Sequence, residues 1–158
     1  MKESLQAGLN FGLTSGVITT LGLMVGLHSG THSSLAVIGG ILTIAIGDSM
    51  SDALGMHISK EAENVYSEKQ LWAATAATLI SKFVMAATFI IPVLVFELGV
   101  AIAVSIFWGL SVLTVLSVYL ARAQQGRVIK VVGEHLGIAL VVIGLTHYTG
   151  VWVARTFM

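Results

Sequence analysis

The sequence predicts an all-α polytopic membrane protein of five transmembrane helices with its N-terminus on the cytoplasmic side. Three observations carry this. Of 158 residues, 56% are hydrophobic and only 10% charged, against about 25% charged in soluble domains. Mean hydropathy is +0.92, and the apolar residues run continuously, without the alternation of a membrane barrel. Five stretches reach the roughly 20 residues that a spanning helix requires.

These stretches cover roughly 6–28, 34–59, 71–96, 98–122 and 131–154. The first is broken by glycines and polar residues and lacks a basic region followed by a small-residue cleavage site. It is expected to be a retained helix and not a signal peptide. HSGTHSS leads into the second, and KEAENVYSEKQ separates the second from the third. A tight turn near Glu97 divides the third from the fourth, and AQQGRVIKVV precedes the fifth. No soluble domain fits between them, so residues 1–158 are expected to form one five-helix transmembrane domain.

Basic residues set the expected orientation. With the N-terminus inside, Lys2, Lys60, Lys69, Arg122, Arg127 and Lys130 lie on the cytoplasmic side. Arg155 then lies outside and Lys82 falls within a helix. The membrane itself is not specified; in a prokaryote it would be the plasma membrane.

Composition also excludes functions. The formal net charge is zero, which argues against a nucleic-acid partner. The absence of cysteine removes disulfides, thiolate metal sites and cysteine nucleophiles. No serine, histidine and acid arrangement stands out, so the chain is not expected to be an enzyme, and no cofactor is expected.

The most informative segment is IGGILTIAIGDSMSDALGMHIS in the second stretch. Asp48 and Asp52 are one helical turn apart and share a face, which Met56 extends by another turn. A carboxylate at membrane depth costs roughly 3 kcal/mol or more, so it usually marks an ion or proton path. The stripe offers hard oxygens and one soft sulfur, a plausible lining for a divalent-cation pathway. Lys82 sits at about the depth of Asp48 on an adjacent antiparallel helix, so the two are expected to pair. Asp52 is then the freer carboxylate, and Asp48–Lys82 is either a strut or a proton-sensitive switch.

Other residues have more ordinary readings. Met50 and Met56 fill gaps in packing more often than they bind metal, and Thr14 and Ser15 commonly bond back within their own helix. His57, with Glu61 and Glu63, lies at the cytoplasmic mouth and could collect cations. Glu134 suits a helix N-terminus by the dipole alone, and His135 begins the same helix. His147 reads as a hydrogen-bonded bundle histidine, His28 and His32 flank the outer loop, and Trp72, Trp108 and Trp152 read as interfacial or packing aromatics. Glycines repeat every four residues at Gly8, Gly12, Gly16 and at Gly22, Gly26, Gly30. Such stripes let helices approach closely, either within the bundle or across a homodimer.

FGLTSGVITTLGLMVGL followed by SMSDALGMHISKEAE resembles the first two helices of the vacuolar iron transporter family. The run containing Phe83 and leading to FIIPVLVF is similar to the family's third helix, and GLTHYTGVWV to its last. The resemblance implies a five-helix homodimer that exports or sequesters Fe2+ or Mn2+ from the cytosol in exchange for protons, along a pathway at the subunit interface. Position by position, the family's helix-one asparagine and aspartate fall on Thr14 and Ser15. Its helix-two methionine and glutamate fall on Asp52 and Met56, and Asp48 has no counterpart. The family's metal-binding insertion is replaced by KEAENVYSEKQ, as in its short nodulin-like relatives. The metal-site candidates are therefore Asp52, Met56, Ser15, Thr14 and Asp48. Two alternatives are a non-transporting scaffold or subunit of the same fold, and a transporter of a different small substrate.

Overall fold

A computed structural model describes residues 1–157. Six helices follow in chain order: α1 (Lys2–Thr31), α2 (Ser34–Ala62), α3 (Glu68–Thr88), α4 (Ile90–Val95), α5 (Leu98–Ala123) and α6 (Val128–Phe157). With α3 and α4 taken as one, there are five segments long and apolar enough to cross a membrane. Their ends lie within four residues of the hydropathic stretches.

The third segment is broken where continuous hydropathy predicts one helix. Pro92 has no N–H for the Thr88 carbonyl, and its ring crowds that carbonyl. Phe89 stays in the right-handed region, φ −73° and ψ −12°, but its N–H donates three residues back, to Ala86 O at 3.1 Å. Trp108 Nε1 of α5 donates to Thr88 Oγ1 at 3.2 Å beside the break.

Local chemistry places the connections. His32 ends α1 in the left-handed region, φ 51°, and Ser33 Oγ accepts the Ala36 N–H at 3.2 Å to start α2. Ser67 N–H donates to Gln70 Oε1 at 2.9 Å at the start of α3. Phe96 and Glu97 are extended, and Ala101 N–H donates to Glu97 O at 2.8 Å, so the expected turn at Glu97 is present.

Helix α1 is central and packs against α2, α3, α5 and α6. Its glycines explain how. A Cβ at Gly12 would overlap the Ser81 hydroxyl and lie 2.6 Å from the Thr78 carbonyl oxygen, and one at Gly16 would lie 3.2 Å from Lys82 O. Gly8, Gly12 and Gly16 thus form a seam with α3, while Gly22, Gly26 and Gly30 face Val142, Thr146 and Gly150 of α6. Both stripes are used inside the bundle, the first of the two arrangements expected of them.

Val17, Leu21, Met24 and Val25 of α1, Val37 and Ile41 of α2, and Met85, Phe89, Ile102 and Leu113 form the core. The outward faces carry exposed Leu42, Ile46, Ile80, Phe107, Val115 and Leu145, as expected when the solvent is lipid. By element order, Lys2, Lys60, Lys69, Arg122, Arg127 and Lys130 gather at one end of the bundle, here the basic end. The apolar core fills the half farther from it. Charged side chains begin where that core stops.

Candidate functional site

The site lies at that boundary. On α2 the buried stripe Val37, Ile41, Ala45, Ser49, Ala53 is flanked by a half-buried one, Ile44, Asp48, Asp52, Met56. On α3, the stripe Ala74, Thr78, Ser81, Lys82, Met85 faces inward. The α1–α3 glycine seam brings the Lys82 backbone against α1, so its side chain reaches past Ser15 to α2.

Lys82 Nζ lies 2.6 Å from Asp48 Oδ2 and is also ion-paired with Asp52 Oδ2. It donates to Ser15 Oγ at 2.9 Å, and Ser15 Oγ donates to Asp52 Oδ2 at 2.7 Å. An ammonium has three N–H donors and no acceptor; Lys82 donates to Ser15 and Asp52 and is ion-paired with Asp48, so it ties α3 to both α1 and α2. Its side chain is 2% exposed, against 21% for Asp52 and 32% for Asp48. Two aspartates and one lysine give the cluster a formal charge of −1.

The expected Asp48–Lys82 pair is present, but the division of labour between the aspartates is reversed. Asp52, expected to be the freer, is the more deeply held, by Lys82 and Ser15 together. Asp48 is the carboxylate with open space beside it. It lines the inner end of a groove of about 620 Å³ formed by α1, α2 and α6, which runs toward Gly30, Thr31 and Val153 at the end opposite the basic one. The ion pairs with Lys82 are made through Oδ2 of each carboxylate.

The remaining candidates divide. Ser15 belongs to the cluster. Thr14 is half-buried on a neighbouring face of α1 and takes no part in the cluster's hydrogen bonds. Met56 is half-buried one turn beyond Asp52, toward the basic end. His57 Nδ1 is 2.9 Å from Thr75 Oγ1, and its ring packs on Trp72 at 4.8 Å, so it joins α2 to α3. Glu63 pairs with Lys60 at 2.9 Å, and Glu61 is exposed at the same end. The three do not converge on a common point.

Two other histidines bond across helices. His147 Nδ1 is 2.6 Å from Ser29 Oγ, and His135 Nδ1 is 2.7 Å from Ser117 Oγ. The rings of His28 and His32 are 5.3 Å apart. Met50 is exposed on the outer face of α2, and Glu134 lies 3.8 Å from Lys130 at the basic end.

Sequence reasoning missed the groove and the sharing of Lys82 between both aspartates. Equal depth was readable from helix length, whereas the second partner depends on how α2 and α3 are rotated about their axes. Among the described residues, no three histidine or acidic side chains come together as a metal cage. Comparison with protein-family models, curated proteins and solved structures finds no match.

Proposed function

We propose that the chain is a secondary transporter that carries a divalent transition metal, Fe2+ or Mn2+, out of the cytosol against protons. The observation that carries this reading is Lys82 bound between Asp48 and Asp52 at mid-span, with a groove reaching Asp48. Positive charges at the basic end favour its placement in the cytosol. The likeness of the first two helices to vacuolar iron transporters supplies the cargo and the coupling ion.

The chemistry follows from competition for the same oxygens. A dication binding Asp48 and Asp52, with Ser15 beside them and Met56 a turn away, must take the place of the Lys82 ammonium. With two carboxylates and a dication the site is neutral, so the lysine charge has to leave or lose its proton. Ion movement is thereby tied to proton movement. Two acidic ligands make a weaker site than a resident metal cage, and a transported ion must bind weakly enough to leave. Carboxylate and hydroxyl oxygen suit manganous and ferrous ions, and a thioether is a softer donor. A homodimer belongs to this proposal, with its interface on faces other than the two glycine seams.

One observation favours a second reading. Lys82 is ion-paired with Asp48 and Asp52, and such a pairing joins α2 to α3 as a strut in a scaffold would. Proteoliposomes loaded with a metal-quenched dye separate the two. Mn2+ or Fe2+ flux in the wild type, lost in both Asp48→Asn and Asp52→Asn, is the expected result. No flux in the folded wild type would leave the scaffold, or a transporter of another small substrate, and flux unchanged in Asp52→Asn would remove that residue from the path.

A further inference from the structure

We propose that the groove between α2 and α6 is a binding site for a monovalent organic ammonium ion with an apolar body. The nitrogen sits at Asp48, and the body lies along the floor made by Gly22, Gly26 and Gly30. At about 620 Å³, the groove falls within the roughly 300–1,000 Å³ of pockets that hold small organic molecules.

Charge selects the ligand. Among the described residues, Asp48 is the only ionisable one lining the groove. Its side chain is one-third exposed, whereas Lys82 is 2% exposed behind it. The three charges of the cluster sum to −1, so a monocation neutralises them with Lys82 still in place. A dication does so only if Lys82 gives up its charge. The cluster already holds one ammonium, that of Lys82, through carboxylate and hydroxyl oxygens, which is the chemistry a second ammonium would use at the other edge of Asp48.

Hydrogen bonding selects in the same direction. Thr19, Thr146 and Thr149 line the groove, and each hydroxyl donates to a carbonyl of its own helix. The acceptors are Ser15 O at 2.9 Å, Val142 O at 2.9 Å and Leu145 O at 2.8 Å. With those protons committed, the hydroxyls present only acceptor lone pairs. A ligand rich in N–H donors is matched there, and an anion finds no donor.

The inference does not rest on metal transport, and its test contains no metal. Calorimetric titration of the full chain in lipid nanodiscs, with chelator present and empty discs subtracted, compares phenethylamine with phenethyl alcohol, its neutral counterpart. The expected result is binding of the amine at least tenfold tighter than of the alcohol. Thr149→Trp, which fills the groove from an exposed position, should weaken amine binding at least tenfold, and Asp48→Asn should abolish the preference for amine. Equal binding of the two compounds, or no binding of either, would overturn the proposal and leave the groove to a lipid chain or a second copy. Amine binding indifferent to Thr149→Trp would overturn it as well. If Asp48→Asn does not fold, the wild-type ratio and Thr149→Trp decide.

Discussion

Lys82→Met is the most informative single perturbation of the charged cluster. Methionine keeps most of the buried stem and removes the ammonium, leaving two carboxylates one turn apart without their shared counter-ion. Removing one partner of a buried ion pair costs about 3–5 kcal/mol. The low end applies here because Asp52 is 21% exposed and Asp48 32%. A loss of about 3 kcal/mol is more than a hundredfold in the folding equilibrium. At roughly 2–4 °C per kcal/mol for a chain of this length, it lowers the melting temperature by about 6–12 °C. Asp52→Asn should cost less, since a neutral Asp48–Lys82 pair survives, and Asp48→Asn least, since Asp52 keeps both Lys82 and Ser15. Adding Asp52→Asn to Lys82→Met should restore more stability than adding Asp48→Asn, and the triple variant should restore most. Tryptophan-monitored melting in nanodiscs reads the series. Additive losses, with no rescue in any combination, would refute the shared-counter-ion reasoning. Full rescue by Asp48→Asn alone would mean that Asp52 is not a partner of Lys82.

Gly12→Leu should destabilise the fold and not selectively dissociate a dimer, because its side chain would meet Ser81 and Thr78 of the same chain. The expected cost is about 1–3 kcal/mol or more, read as folded yield beside native mass spectrometry, and a fully stable protein that has lost only its partner would contradict the packing. His57→Ala should cost about 1 kcal/mol through loss of the Thr75 and Trp72 contacts while leaving metal flux in place; a fall in flux at unchanged stability would return His57 to the cation path.

Much of the fold was legible because a spanning helix announces itself by length and apolarity alone. The break at Phe89 was marked by Pro92, yet hydropathy does not register a missing N–H. Antiparallel neighbours of known length also give depth, which is why Asp48 and Lys82 could be matched. Asp52 and Ser15 could not be assigned the same lysine, because that needs the rotation of α1, α2 and α3 about their own axes. The glycine spacing was visible too, but a stripe does not name the helix that fills it. Only the structure distributes Gly12 to α3 and Gly26 to α6. The groove beside Asp48 depends on where α6 lies relative to α2, and no local pattern encodes that.

Packing and charge in the site are one problem. Lys82 is among the largest fully buried side chains of the protein, and it has room because its neighbours are small. Gly12 and Gly16 admit its backbone on the α1 side, and the buried stripe of α2 narrows to Ala45, Ser49 and Ala53 at that level. Volume conservation would be met equally by a leucine opposite a leucine, and a strut would be met by one aspartate opposite one lysine. The second carboxylate satisfies neither purpose. It leaves a net negative charge in a region where an uncompensated charge is costly, so stability alone does not account for it. The proposed cation binding would use it, since that charge is what a cation arriving at Asp48 would neutralise.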